Sequence, residues 1–238
     1  MFRALIQGLS RTMLCGARQL PSCCAVCHAW PAQPVCEDCV TAFAQPVPRC
    51  QTCALPVLDG MRQCGACVKE PPPQDSALAA VRYDYPWSLL VSEFKFREHT
   101  GWARSFASLM RSTPWVEPAL EAADLVLPLP LSRQRIAERG FNQAALLAHA
   151  LGTGKDDTTL LLRVQETPPQ RTLPRKERLL SVQHAFAIDP LKSATLRGKR
   201  VVLIDDVMTS GASLHAAAHV VRRAGADHIT AMVFARTE

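Results

Sequence analysis

From residue 77 onward the apolar positions follow two alternating patterns. Short continuous or alternating runs predict strands, and apolar residues three and four apart predict helices. Residues 77–85 (ALAAVRYDY) have strand character, and residues 87–96 and 102–110 carry apolar side chains at helical spacing. Residues 124–129 (DLVLPL) form a short apolar strand ending in proline, 141–151 (FNQAALLAHAL) a helix, and 159–164 a short strand. The polar stretch 165–175, with three prolines, reads as a loop. A short helix over 176–182 and a short strand over 185–188 follow. Residues 201–204 (VVLI) make a buried strand, 212–223 a helix and 228–235 a last strand. Strands alternating with helices predict an α/β unit with a mainly parallel sheet flanked by helices. Ligands of such sheets bind at the carboxyl ends of the strands.

Before residue 77 the pattern is of another kind. All ten cysteines lie between Cys15 and Cys67, and eight form C-x-x-C pairs: Cys24/Cys27, Cys36/Cys39, Cys50/Cys53 and Cys64/Cys67. A C-x-x-C turn aims two thiolates at one point, and two turns complete a tetrahedral zinc site. Four turns therefore predict structural Zn²⁺ bound by four thiolates per site, with no open position for chemistry. Sequential pairing of the turns is simplest, and crossed pairing is the alternative. Cys15 and Cys23 are left over; using Cys23 for Cys24, or His28 for Cys27, would break the repeated spacing. A single pair would equally suit a redox motif. Pro71-Pro72-Pro73 marks the boundary between an N-terminal helix with a double zinc ribbon (residues 1–70) and the α/β domain (residues 74–238).

No stretch approaches the ~20 apolar residues of a transmembrane helix. The first nine residues are too interrupted for a signal-peptide core and read as a short amphipathic helix. A cytoplasmic location is the expectation. In that reducing compartment paired cysteines mean metal rather than disulfides.

Hydrophobic residues are 48% and charged residues 20% of the 238, which is globular composition. Aromatics at 6% argue against an extended base-stacking platform. The net charge of +6 is concentrated: residues 126–200 hold 13 basic against 6 acidic groups. Such a block suits a polyanion, either a nucleic acid or a small polyphosphate.

The most informative stretch is residues 201–213, VVLIDDVMTSGAS. Asp205 and Asp206 follow the apolar run, where adjacent carboxylates can accept hydrogen bonds from vicinal hydroxyls. Thr209, Ser210, Gly211, Ala212 and Ser213 then turn into a helix, whose N-terminus offers N–H groups and a positive dipole end to a phosphate. A sugar bearing hydroxyls and a phosphate is the natural ligand. The chain has no G-x-x-x-x-G-K-[ST] and no G-x-G-x-x-G.

This stretch resembles the signature of type I phosphoribosyltransferases, which bind 5-phosphoribosyl-1-diphosphate (PRPP). The likeness implies that Asp205 and Asp206 take the ribose hydroxyls and residues 209–213 cradle the 5′-phosphate. Over nearly its full length the chain resembles the ComF/GntX family, associated with competence and DNA uptake. The resemblance rests on the C-x-x-C ribbons, Phe94-Lys95-Phe96-Arg97, Leu127-Pro128-Leu129-Pro130-Leu131, Glu138-Arg139-Gly140-Phe141-Asn142-Gln143, Thr167-Pro168-Pro169-Gln170 and Ala185-Phe186. One departure is Ser181, where the family commonly has Asn. The resemblance further implies that Leu129, Pro130 and Leu131, with Arg133 and Arg139 nearby, contact the diphosphate. It implies that a loop carrying Arg171 and Arg175 closes over the site, and that Mg²⁺ accompanies PRPP. Two functions fit. One is a PRPP-binding protein acting in DNA uptake or utilisation, with single-stranded DNA and the uptake machinery at the inner membrane as partners. The other is an active Mg²⁺-dependent phosphoribosyltransferase on an unidentified acceptor. No residue stands out as a general base for such an acceptor.

Overall fold

The computed structural model describes residues 22–97, 99–165 and 184–238. The expected N-terminal helix, Cys15, the 176–182 helix, and Arg171 and Arg175 with most of their loop lie outside them. The chain divides into two compact units, Met1–Val40 and Thr41–Glu238. In the first, a bridge between Ser22 and Ala32 closes a loop around the Cys24/Cys27 turn. Helix α1 (Glu37–Phe43) starts next to Cys36.

The second unit is built on four parallel strands in the order β1-β6-β5-β2. These are β1 (Ser76–Arg82), β2 (Leu125–Pro128), β5 (Arg200–Met208) and β6 (His228–Arg236). The strand predicted over 201–204 is longer, because β6 pairs with it past the apolar run, from Asp205 opposite Val233 to Met208 opposite Arg236. On its other side, pairing with β2 stops at Pro128 opposite Ile204. Pro128 and Pro130 have no N–H to continue a ladder. The last four residues of β5 therefore overhang β2, and the two acids sit within the strand rather than after it.

Helices α3 (Trp87–Phe96) and α4 (Trp102–Ser112) match their apolar spacing. Their Trp87, Phe94 and Phe106 are fully buried with Phe234 of β6, and Phe106 stacks on Phe234 at 3.9 Å between centroids. Helix α8 (Ala212–Arg223) buries Ala216, Ala217 and Ala218, small side chains that let the helix lie close to the sheet. Among the described residues four α-helices were not legible: α1, α2 (Gly65–Lys69), α5 (Val116–Ala122) and α6 (Arg133–Arg139). Helix α6 has almost no apolar residue to reveal its period. Its ends are set instead by the Ser132 hydroxyl, which accepts from Arg135 N, and by Gly140 at φ 75°. The helix expected over 141–151 is α7 (Gln143–Ala150), capped by Asn142 Oδ1, which accepts from Ala144 N and Ala145 N. Strands β3 (Leu161–Arg163) and β4 (Phe186–Ile188) pair with each other antiparallel, apart from the main sheet. Among the described residues no helix is long and apolar enough to cross a membrane.

Candidate functional site

The four C-x-x-C turns gather sequentially. Cys24, Cys27, Cys36 and Cys39 form one group and Cys50, Cys53, Cys64 and Cys67 another, with the sulfurs of each within 4.8 Å of one another. Sulfurs held tetrahedrally about 2.3 Å from a zinc ion lie about 3.8 Å apart. The closest contacts are Cys27–Cys36 3.5 Å, Cys24–Cys39 3.9 Å and Cys53–Cys64 3.7 Å. Both groups could therefore hold a metal ion. They also repeat an electrostatic device. Burial raises the Cys24 and Cys50 thiols, but hydrogen bonds outweigh it and bring each down to about 6: backbone N–H donors at Cys24, and the Thr52 hydroxyl with backbone N–H donors at Cys50. The donors include Cys36 N to Cys24 at 3.4 Å and Cys64 N to Cys50 at 3.3 Å. The fourth-position partner Cys39, and Cys53, are pushed up by burial and by their neighbouring thiols. Cys23 is exposed and belongs to neither group.

The overhang of β5 opens a cavity. Leu129, Pro130 and Leu131 line one side as the chain leaves β2. Asp205, Asp206, Thr209, Gly211, Ala212 and Ser213 line the other. Gly211 has φ 80°, and a Cβ there would lie 2.7 Å from His215 Nε2 and 2.7 Å from Met208 Cε. Glycine takes this left-handed conformation without strain, and it starts α8 at the cavity wall. The first N–H groups of a helix have no partner within the helix. Ser210 does not line the cavity; its Oγ accepts from Ala212 N at 3.4 Å.

The acids are held differently. Asp206 is buried and meets Lys95 Nζ of α3 at 2.9 Å. Asp205 accepts from Asp206 N at 2.9 Å. Burial, then the charge of Asp206, push the Asp205 carboxyl up to about 7, with Lys95 acting in the opposite direction. A cationic wall faces them. Arg139 donates to Gln143 Oε1 at 3.2 Å and lies over the Phe96 ring at 4.9 Å. Gln143 is 1% exposed, and its Nε2 has no hydrogen-bond partner among the described residues. Asn142 Nδ2 donates to Leu129 O at 3.0 Å, tying α7 to the turn after β2.

Sequence reasoning thus brought together most of this cavity and missed much of its cationic side. Lys95, Arg135 and Arg163 line it without having been assigned a role. Arg133, expected beside the diphosphate turn, does not line it. Arg135 and Arg139 are one helical turn apart and share a face of α6, whereas Arg133 is about 200° from Arg135. Lys95 and Gln143 lay inside motifs already singled out, which was the available signal. Arg163 had none, because its place depends on the β3–β4 pair, where it sits over Phe186 at 5.3 Å.

The family model of the phosphoribosyl transferase domain matches residues 136–238. DNA utilization protein YhgH of Salmonella typhimurium is 32% identical over 215 residues, covering 85% of this chain and 90% of that protein. Competence protein F of Haemophilus influenzae is 30% identical over 209 residues, covering 84% and 88%. Competence protein ComFC of Bacillus subtilis is 34% identical over 135 residues, covering 57% and 53%.

Proposed function

This chain belongs to the ComF family, and from that premise we propose that it binds PRPP with Mg²⁺ in the cavity beside β5 and acts in the uptake or use of DNA. The observation that carries the reading is the meeting of two separate segments on one cavity: the turn of Leu129, Pro130 and Leu131, and the continuous stretch from the Asp205/Asp206 pair through the turn into α8. The α8 N-terminus suits a phosphate monoester. The two carboxylates suit a vicinal diol, and Arg139, Arg135 and Lys95 suit the charge of a diphosphate. Arg171 and Arg175 belong to the same reading as groups that close over the ligand. Mg²⁺, when bound with PRPP, supplies neutralisation of the diphosphate charge. Zn²⁺ is the ion that four thiolates in a tetrahedral set favour, and its role in both cysteine groups is structural. Thiolate–metal sites of this kind suit a cytoplasmic protein.

The DNA role rests on the names of the relatives and on the basic block of residues 126–200. Single-stranded DNA and the uptake machinery at the inner membrane are the partners of this reading. Calorimetric titration with PRPP and Mg²⁺ tests the ligand, and saturable binding by one PRPP per chain is expected. No heat at millimolar PRPP would refute it. Beside it, a salt titration of single-stranded DNA binding and a diphosphate-release assay separate the two functions. A steep salt slope without release supports DNA handling. Release without DNA binding supports a transferase unrelated to DNA.

A further inference from the structure

The cysteine group of residues 50–67 belongs to the same packed core as the sheet: Cys50, Cys53 and Cys67 are buried with Ala77, Ala79 and Val233. Its first turn is held at three successive carbonyls. Ala77 N donates to Gln51 O at 2.7 Å, Gln74 Nε2 to Thr52 O at 2.7 Å, and Arg236 Nε to Cys53 O at 2.9 Å. Arg236 closes β6 and is only 4% exposed. Its Nη1 donates to Met208 O at 3.0 Å and also to Thr209 O. One guanidinium thus bridges a cysteine-ligand turn and the two residues that lead from the acids of β5 into the turn before α8. A rigid planar fork fixes its donors at a set separation from one another, whereas an ammonium donates from a single nitrogen on a flexible stem. At the end of this stretch the Met208 and His215 side chains pack against Gly211.

We infer that Arg236 is a positioning residue that couples metal occupancy of the Cys50/Cys53/Cys64/Cys67 site to the shape of the 209–213 turn. The inference rests on the proposed PRPP reading of that turn. When the metal fixes the Cys50–Cys53 turn, the Cys53 carbonyl fixes the guanidinium, and the guanidinium fixes the Met208 and Thr209 carbonyls. Loss of metal frees the first link and so loosens the third. Coupling between two binding events is reciprocal. Ligand bound at the turn must therefore hold the metal more tightly at this site, and not at the Cys24/Cys27/Cys36/Cys39 site.

Zinc release to a chromogenic chelator, followed with and without PRPP and Mg²⁺, reads this coupling without any assay of turnover. In the intact protein one release phase should slow by about fivefold or more, the lower end of ordinary coupling. The same phase should persist in Cys27→Ser, which weakens the first site alone. Arg236→Met should abolish the slowing and weaken PRPP binding. Arg236→Lys, which keeps the charge and loses the fork, should fail to restore it; full restoration by Lys would reduce Arg236 to a buried charge and overturn the inference. If Arg236→Met does not fold, the unmutated protein still decides. PRPP that binds while both release phases stay unchanged overturns the coupling. PRPP that does not bind removes the functional reading, and the coupling falls with it.

Discussion

The second cysteine group and the cavity both gather ionisable side chains inside the Thr41–Glu238 unit, but only one of them is a finished site. In the cysteine group four sulfurs converge on one point, at the spacing a single tetrahedral ion demands. Nothing is left over for a substrate. In the cavity the groups surround a space instead. Asp206 has its own counter-ion in Lys95, Asp205 is pushed towards its neutral form, and Gln143 keeps a buried amide nitrogen without a partner among the described residues. A closed set of ligands stabilises a fold, whereas an open set of partly satisfied groups waits for a ligand to complete it.

The largest expected effect is on the open site. Replacing both acids, Asp205→Asn with Asp206→Asn, removes two charged acceptors worth ~1.5–3 kcal/mol each. PRPP affinity should fall by ~2–4 orders of magnitude in a protein that still melts cooperatively. Unchanged affinity in the folded double variant would mean the cavity is not the PRPP site. The closed site should respond in the opposite way. Cys50→Ser with Cys53→Ser leaves buried polar groups unpaired, at a cost of about 3 kcal/mol or more. Thermal unfolding should drop by roughly 6–12 °C. Cys24→Ser with Cys27→Ser should leave the melting of the Thr41–Glu238 unit unchanged. Equal losses from the two double variants would erase the distinction.

Lys95→Met comes next. It strands the buried Asp206 carboxylate, with an expected loss of about 2 kcal/mol that thermal unfolding can read. It should also move the pH response of the acid pair upward, because Lys95 opposes the rise in Asp205. The acid pair also has a pH response of its own in the unmutated protein. Asp205 keeps its proton up to about 7, whereas an unfolded Asp loses it near about 4. The free protein therefore holds this group's contribution fully below about pH 4 and loses it as pH rises towards 7. PRPP affinity should run the other way, rising by up to roughly tenfold per pH unit and levelling off above 7. Urea midpoints and titrations over the same pH range check both signs, and parallel trends would contradict the assignment of Asp205 as a hydroxyl acceptor.

Legibility in the sequence followed the distance over which each feature is built. The cysteine groups are made of local turns, so spacing alone announced them, and sequential pairing was the simplest arrangement of four such turns. The acid pair and the turn into α8 are also one continuous segment. The cationic wall is tertiary: Lys95 comes from α3, Arg135 and Arg139 from α6, Arg163 from β3. No local pattern joins them. Helix α6 itself was hidden because a polar helix has no apolar period, and the full length of β5 was hidden because its last residues pair through the backbone with β6. Arg236 reads in sequence as one more terminal basic residue; only the fold turns it inward between Cys53 and Met208.

A crystal structure of the protein saturated with PRPP and Mg²⁺ tests the cavity assignment most directly. The 5′-phosphate should lie on the N–H groups of residues 209–213, and both ribose hydroxyls should be within hydrogen-bond distance of Asp205 and Asp206. PRPP bound elsewhere, or a cavity still empty at saturating ligand, would contradict it.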